Sequence, residues 1–340
     1  MAVVGLGYWG PNLARNISIC PNTTLTYLVE LDPERLARNA RLYPAANAIS
    51  DLEQALNDPE LEVVAIATPV ESHYPLAKAC LEAGKHVLVE KPMTKSVAEA
   101  EELVALAGRK SLKLMVDHTY NYTSAVQKIR EIVRNGELGD ILYWDSVRIN
   151  LGLFNHDVNV VWDLAPHDLA VLDYVLGESP VSLQAKGVAH YADKLENIAY
   201  LTLNFESHPI AHFHFNWLAP VKVRTTMIGG TRKMIVYDDM EPSEKVKVYD
   251  KGVDLNGGDA GRYTTLVQYR VGDMYAPHIA NIEALQVEIA HVARVIRGEE
   301  EPLTSGELGL RVVRILEAAQ RSIERNGETV HLQPLTTATH

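Results

Sequence analysis

The chain has only two cysteines in 340 residues, Cys20 and Cys80. That is far too few for a disulfide framework, and both read as buried thiols of a reducing compartment. Long apolar runs are missing too, since no stretch approaches the roughly 18 uninterrupted apolar residues of a membrane-spanning helix. Positive charge is scarce: 32 Lys and Arg stand against 44 Asp and Glu, a formal net charge of −12. With the basic residues dispersed, the clustered cationic surface that nucleic acid requires is excluded. A phosphate held locally by backbone N–H groups is not. No basic region, apolar core or small-residue cleavage site precedes the glycine turn that begins at Gly5, so a cytoplasmic protein with no membrane or nucleic-acid partner is expected. Only Ala2, Val3 and Val4 remain for a first strand, where about 5–6 residues are usual, and the natural chain is expected to begin a few residues earlier. What is present, 47% hydrophobic and 22% charged residues, suits about two globular domains.

Over residues 1–119, short apolar runs at 2–4, 25–30, 63–67, 86–89 and 114–116 alternate with helical patterns at 11–18, 33–42, 74–83 and 96–107. Strands this apolar, without polar alternation, need cover on both faces, which predicts β-α-β units and a doubly wound parallel sheet of Rossmann type. Over residues 120–340 the pattern changes. A helix is expected at 124–135, stopped by Gly136, then a strand at 141–150 and a helix at 163–176 stopped by Gly177. Successive strands follow to about 271, with turn signals at Gly229-Gly230 and Asn256-Gly257-Gly258, before helices at 279–297 and 305–325. Strands without regular helical alternation predict an α+β domain with a large, mostly antiparallel open sheet.

Gly5-Leu6-Gly7-Tyr8-Trp9-Gly10 follows the first strand and opens a helix. In that setting Gly5 permits the tight turn, Gly7 the approach of a pyrophosphate, and Gly10 close packing of helix on strand, while Pro11 is preset for a first helical turn. N–H groups at the helix start would hold the phosphates. Glu30 ends the second strand run, roughly 20 residues on, where a carboxylate accepts a ribose diol and repels a 2′-phosphate. This favours NAD over NADP. Asp32 is an alternative acid, and Arg35 or Arg38 an alternative site for a 2′-phosphate.

Thr68-Pro69 and Glu90-Lys91-Pro92 end the third and fourth strand runs, on the side of an open sheet where ligands bind. The run Thr68-Pro69, His73, Leu81-Glu82-Ala83-Gly84-Lys85-His86-Val87 and Glu90-Lys91-Pro92 resembles the signature of the Gfo/Idh/MocA oxidoreductases, relatives of glucose–fructose oxidoreductase and inositol dehydrogenase. Pro302-Leu303-Thr304-Ser305-Gly306 is similar to that family's C-terminal segment. The resemblance implies a Rossmann domain, a tightly held nicotinamide cofactor bound with the help of Tyr8, Trp9, Thr68, Pro69, His73, Glu90 and Lys91, and a C-terminal sheet that forms homodimers or homotetramers.

The same resemblance implies a catalytic triad of Lys91, Asp163 and His167. His167 would be the general base toward a sugar hydroxyl, Asp163 its orienting partner, and Lys91 the stabiliser of the developing alkoxide. The i, i+4 spacing puts Asp163 and His167 on one helix face, although Asp163 also reads as the cap of that helix, with Pro166 in its first turn. Tyr120, Asn121 and Tyr122, after the last Rossmann strand, are candidate substrate contacts or hinge packing. Arg148 and Asn150 are further candidate substrate contacts, and Arg148, Lys222 and Arg224 read as anion contacts or as a solvated sheet face. Asp157–Asp168 and Trp217–Arg224 resemble members that oxidise C3 of UDP-N-acetylglucosaminuronic acid or related nucleotide sugars. Three activities stay open: an NAD-dependent nucleotide-sugar or uronate 3-dehydrogenase, an NADP-dependent ketosugar reductase or free-sugar or inositol dehydrogenase, and a catalytically silent NAD-binding sensor. His212 and His214 share a strand face, and His156-Asp157 is another pair. Neither has the ligand spacing of a metal site, so no metal is expected.

Overall fold

The computed structural model describes residues 1–152, 158–191, 195–207, 209–256 and 266–333. Gly257-Gly258 and His156-Asp157 lie outside them. The chain forms two compact units, Met1–Thr123 with Ile282–Glu317, and Ser124–Asn281 with Ala318–His340.

The first unit runs β1 (Ala2–Val4), α1 (Gly10–Ile19), β2 (Tyr27–Val29), α2 (Pro33–Leu42), β3 (Asn47–Ile49), α3 (Leu52–Leu56), β4 (Val63–Ile66), α4 (His73–Glu82), β5 (His86–Glu90), α5 (Val97–Lys110) and β6 (Leu114–Asp117). Its strands form one parallel sheet in the order β3-β2-β1-β4-β5-β6. β1, β4 and β6 are buried throughout, as both-face cover demands. The short β3 and α3 had no periodic signal to announce them.

The second unit runs α6 (Ser124–Arg134), β7 (Ile141–Leu151), α7 (Val160–Leu176), β8 (Ser182–Val188), β9 (Ile198–Asn204), β10 (Ile210–Asn216), β11 (Leu218–Gly230), β12 (Met234–Asp238), β13 (Val246–Asn256) and β14 (Leu266–Tyr275). Further on come α8 (Ala284–Ile296), α9 (Gly306–Glu324) and β15 (Val330–His331). The sheet order is β14-β13-β12-β11-β7-β10-β9-β8-β15 among the described residues. Its pairings are antiparallel except for β7 with β10. α7 begins at Val160, capped by the Asn159 side chain, which accepts from the N–H groups of Val161 and Trp162 at 3.1 Å each. Asp163 is therefore not the cap but a first-turn residue. Pro166 lies inside the helix and withdraws the N–H that the Trp162 carbonyl would otherwise accept.

The contacts do not follow a single division at 119/120. Residues 282–317 return to the Rossmann unit because the apolar face of α8, Leu285, Ile289, Val292 and Val295, joins the core formed by Val3, Leu6, Leu13, Ile17 and Leu28. The segment before α9 completes the sheet edge: Val116 N–H donates to Thr304 O at 2.8 Å, and a Cβ on Gly309 would lie 2.6 Å from Val116 Cγ2. α8 also carries Glu288, fully buried, into an acidic group with Asp117 and Glu90. Burial, then the Asp117 and Glu90 carboxylates, hold Glu288 well above the ordinary value of 4.5. Burial and Asp117 push Glu90 the same way.

Two predictions follow from this core. Ile289→Ala should cost about 2–5 kcal/mol, the range for emptying a packed aliphatic site, read by urea unfolding; a loss below about 1 kcal/mol would place α8 outside the core. A carboxyl with a raised folded value stabilises fully below its unfolded value and loses that contribution as pH rises through the folded one. Glu288→Gln should accordingly raise the thermal midpoint at alkaline pH relative to wild type, with a smaller gain at pH near 4.5; a gain independent of pH contradicts the titration.

Candidate active site

The glycine turn lies at the end of β1, against the end of β4. Gly5 has φ +87°, and a Cβ there would fall 2.6 Å from Ala67 O and 2.8 Å from Thr68 Cγ2. A Cβ on Gly10 would lie 1.8 Å from Gly5 O, so α1 starts in direct contact with the turn. At Gly7 the only neighbour within 4 Å of such a Cβ among the described residues is the Arg35 guanidinium, at 3.8 Å. No side chain caps α1 and its first turn holds no acid, which leaves an electropositive helix start suited to a pyrophosphate. Tyr8 projects into solvent, 92% exposed.

Around this cradle the expected residues assemble. Glu30 accepts from Leu6 N–H at 2.6 Å and from Asp32 N–H at 3.1 Å, which fixes its carboxylate beside the turn. Asp32, the competing acid, caps α2 by accepting from the N–H groups of Glu34 and Arg35. It also pairs with Arg35 at 3.4 Å. Trp9 Nε1 donates to Asp117 Oδ2 at 2.6 Å, and Thr119 Oγ1 donates to the other oxygen of the same carboxylate. Asp117 was not among the sequence candidates; its place at the C-terminal end of β6 was the available signal.

His73 is a strut between loops. Its buried ring places Nδ1 2.9 Å from Pro92 O and Nε2 2.8 Å from Thr68 O, and burial lowers its pKa. A neutral ring has one N–H and both neighbours are acceptors, so His73 donates to one of the two carbonyls and packs against the other, between the Thr68-Pro69 turn and the Lys91-Pro92 turn. Glu90 Oε2 accepts from Lys91 N–H at 2.6 Å. His118 is buried with neither ring nitrogen hydrogen-bonded among the described residues, and burial followed by the charge of Lys91 lowers its pKa to about 3.

The candidate substrate residues divide. Tyr122 is a core residue: it is 4% exposed, its hydroxyl lies 3.1 Å from Thr304 Oγ1, and its ring lies 5.5 Å from that of His291. Asn121 is fully buried and Tyr120 partly so. Arg148, expected as an anion contact, is 6% exposed and already neutralised. Its Nε lies 2.5 Å from Asp168 Oδ2 and its Nη2 3.2 Å from Oδ1, which also accepts from Ser146 Oγ at 3.1 Å. Arg224 likewise faces Asp239, at 3.4 Å, whereas Lys222 is exposed.

In the second unit Asp163 and His167 lie one turn apart on α7, both partly exposed. Trp217 Nε1 donates to Asp163 Oδ2 at 3.2 Å. Asn150 follows Ser146 and Arg148 on the same face of β7 and lies near Gly152 and Trp217. Lys91 belongs to the other unit. His212 bonds Thr202 Oγ1 at 3.0 Å and His214 stacks on Tyr200 at 4.5 Å; no metal-binding cluster of His, Cys, Asp or Glu occurs among the described residues. Nor is any described helix long and apolar enough to cross a membrane.

Comparison with known proteins agrees with these features. Residues 1–118 match the Gfo/Idh/MocA oxidoreductase family, NAD-binding Rossmann fold, and residues 126–236 match a Gfo/Idh/MocA C-terminal domain. The chain is 27% identical over 300 residues to the scyllo-inositol 2-dehydrogenase (NADP(+)) IolW of Bacillus subtilis, covering 83% of this chain and 82% of that one. It is 30% identical over 211 residues to the UDP-N-acetylglucosamine 3-dehydrogenase of Acidithiobacillus ferrooxidans, covering 59% and 62%. Among solved structures, a putative oxidoreductase from Magnetospirillum magnetotacticum superposes with a TM-score of 0.79 at 30% identity, over 93% of this chain and 98% of the other. With the cofactor cradle and the strand order in place, the chain belongs to the Gfo/Idh/MocA oxidoreductases and carries that family's NAD-binding Rossmann domain.

Proposed function

We propose that the protein is an NAD-dependent dehydrogenase that transfers hydride between the nicotinamide and a hydroxyl-bearing sugar carbon, C3 of a nucleotide sugar or uronate. The observation that carries this reading is Asp163 and His167 one turn apart on α7, in a chain with an unobstructed dinucleotide cradle. Glu30, held beside the glycine turn by two backbone N–H groups, supports NAD: its carboxylate suits a ribose diol and opposes a 2′-phosphate. Arg35, one of the two arginines that would favour NADP, faces Asp32. When bound, the nicotinamide supplies the hydride acceptor. His167 takes the hydroxyl proton, Asp163 orients its ring, and Lys91 offsets negative charge developing on the sugar oxygen. A catalytically silent sensor has no chemical need for all three.

A second substrate reading, a free sugar or inositol, is favoured by one observation: Arg148 and Arg224, two of the expected anion contacts, are engaged by Asp168 and Asp239. We also propose self-association through the outer face of the large sheet, where Val188, Tyr200, Ile210 and Met227 remain exposed.

His167→Ala should lower turnover by at least about a hundredfold while leaving cofactor affinity within about twofold, because the base acts in the chemical step and the cradle lies elsewhere. Unchanged turnover removes His167 from the reaction. Glu30→Ala should erode the preference for NAD over NADP by about tenfold, one ribose contact, measured as the ratio of kcat/KM values; an unaltered ratio reassigns that contact. Assay of nicotinamide reduction across UDP-sugars, uronates, free sugars and inositols decides the substrate. Reduction with inositols alone selects the second reading, and reduction with none sinks the dehydrogenase.

A further inference from the structure

Trp217 donates its indole N–H to the carboxylate of Asp163, and the surrounding structure is arranged to keep it there. The side chain is 1% exposed, and an indole nitrogen has a donor and no acceptor, so burial obliges it to find an oxygen. Its backbone is held from both sides: Trp217 N–H donates to Asn197 O at 2.9 Å, and Trp217 O accepts from Gly152 N–H at 3.0 Å. The ring occupies space that exists because residue 152 is glycine. A Cβ there would lie 2.9 Å from indole Cδ1 and 3.3 Å from Cγ.

The start of α7 hangs on the same segment that holds Trp217. Val160 N–H donates to Glu196 O at 2.9 Å, and the capping Asn159 donates to Glu196 Oε2 at 2.7 Å. Residues 196 and 197 thus fix both partners of the Trp217–Asp163 hydrogen bond. One turn later, Arg148 grips Asp168, the residue after His167. Asp163 and Asp168 therefore bracket His167, and each is held by a side chain reaching α7 from outside the helix.

We propose that Trp217 is a positioning residue of the reaction: its indole N–H holds the Asp163 carboxylate in the orientation from which Asp163 acts on His167, in a slot opened by Gly152. The proposal rests on the dehydrogenase reading above, in which Asp163 and His167 serve the proton transfer. It assigns Trp217 an effect on the chemical step through Asp163 and none on cofactor binding, whose cradle is built from the other unit.

The test is a double-mutant cycle on the full-length protein with the sugar substrate found in the screen. Trp217→Phe keeps the aromatic packing and removes the donor. It should lower kcat about tenfold, the effect of one charge-assisted hydrogen bond, with sugar KM and NAD affinity each within about twofold. In an Asp163→Ala background the same substitution should have no further effect on kcat, since its partner is gone. Gly152→Ala, which crowds the indole without altering it, should reproduce the kcat loss and the same KM-against-kcat split; circular dichroism and the thermal midpoint normalise each rate to folded protein. Wild-type kcat in folded Trp217→Phe overturns the proposal, as do multiplicative losses in the cycle, which mark a role in packing alone. Wild-type turnover in Asp163→Ala itself sinks the parent reading instead, so the two failures are told apart.

Discussion

Both units depend on a glycine that lets another group come closer than any side chain permits. In the Rossmann unit, Gly10 meets the Gly5 carbonyl, where an added Cβ would sit at 1.8 Å. The contact sets the start of α1 on the turn at the end of β1, where Leu6 N–H donates to Glu30 and Gly5 packs against Thr68. In the second unit, Gly152 vacates the volume that the Trp217 indole fills, and the indole fixes Asp163. Hydrophobic burial is non-directional and would accept many arrangements at either place. Close approach followed by a directed hydrogen bond accepts few.

Buried charge is managed in two distinct ways. Arg148 and Asp168 form a bidentate pair, with Ser146 adding a donor, because a desolvated pair is tolerable only when its remaining lone pairs are also satisfied. Glu288 and Glu90 have Asp117 as a neighbour, and burial and the neighbouring carboxylates, outweighing the charge of Lys91 beside Glu90, favour proton uptake over charge. Asp117 meanwhile accepts from Trp9 and Thr119. The acidic group thereby reaches the glycine turn itself through Trp9.

Much of this was legible in local pattern. Apolar runs gave the parallel sheet, the glycine fingerprint gave the cradle, Gly177 marked the end of α7 through its left-handed conformation at φ +68°, and the i, i+4 spacing of Asp163 and His167 survived into the helix. What escaped was decided by partners distant in the chain. Arg148 read as an anion contact because nothing near it in sequence reveals Asp168, 20 residues away. Tyr122 looked available for substrate until its hydroxyl met Thr304, 182 residues on. Helix α8 read as part of the second domain, since an amphipathic stripe specifies that a face will be buried and not against what.

The sequence by itself determined the class of fold, the kind of cofactor and the residue types that can move a proton, because backbone preference, periodicity and side-chain chemistry act over a few residues. Only the tertiary structure decided which polar groups are engaged with one another and which stand open. Burial, ion pairing and hydrogen bonding depend on separations in space: they neutralised Arg148 with Asp168, turned His73 into a strut, and set Trp217 against Asp163.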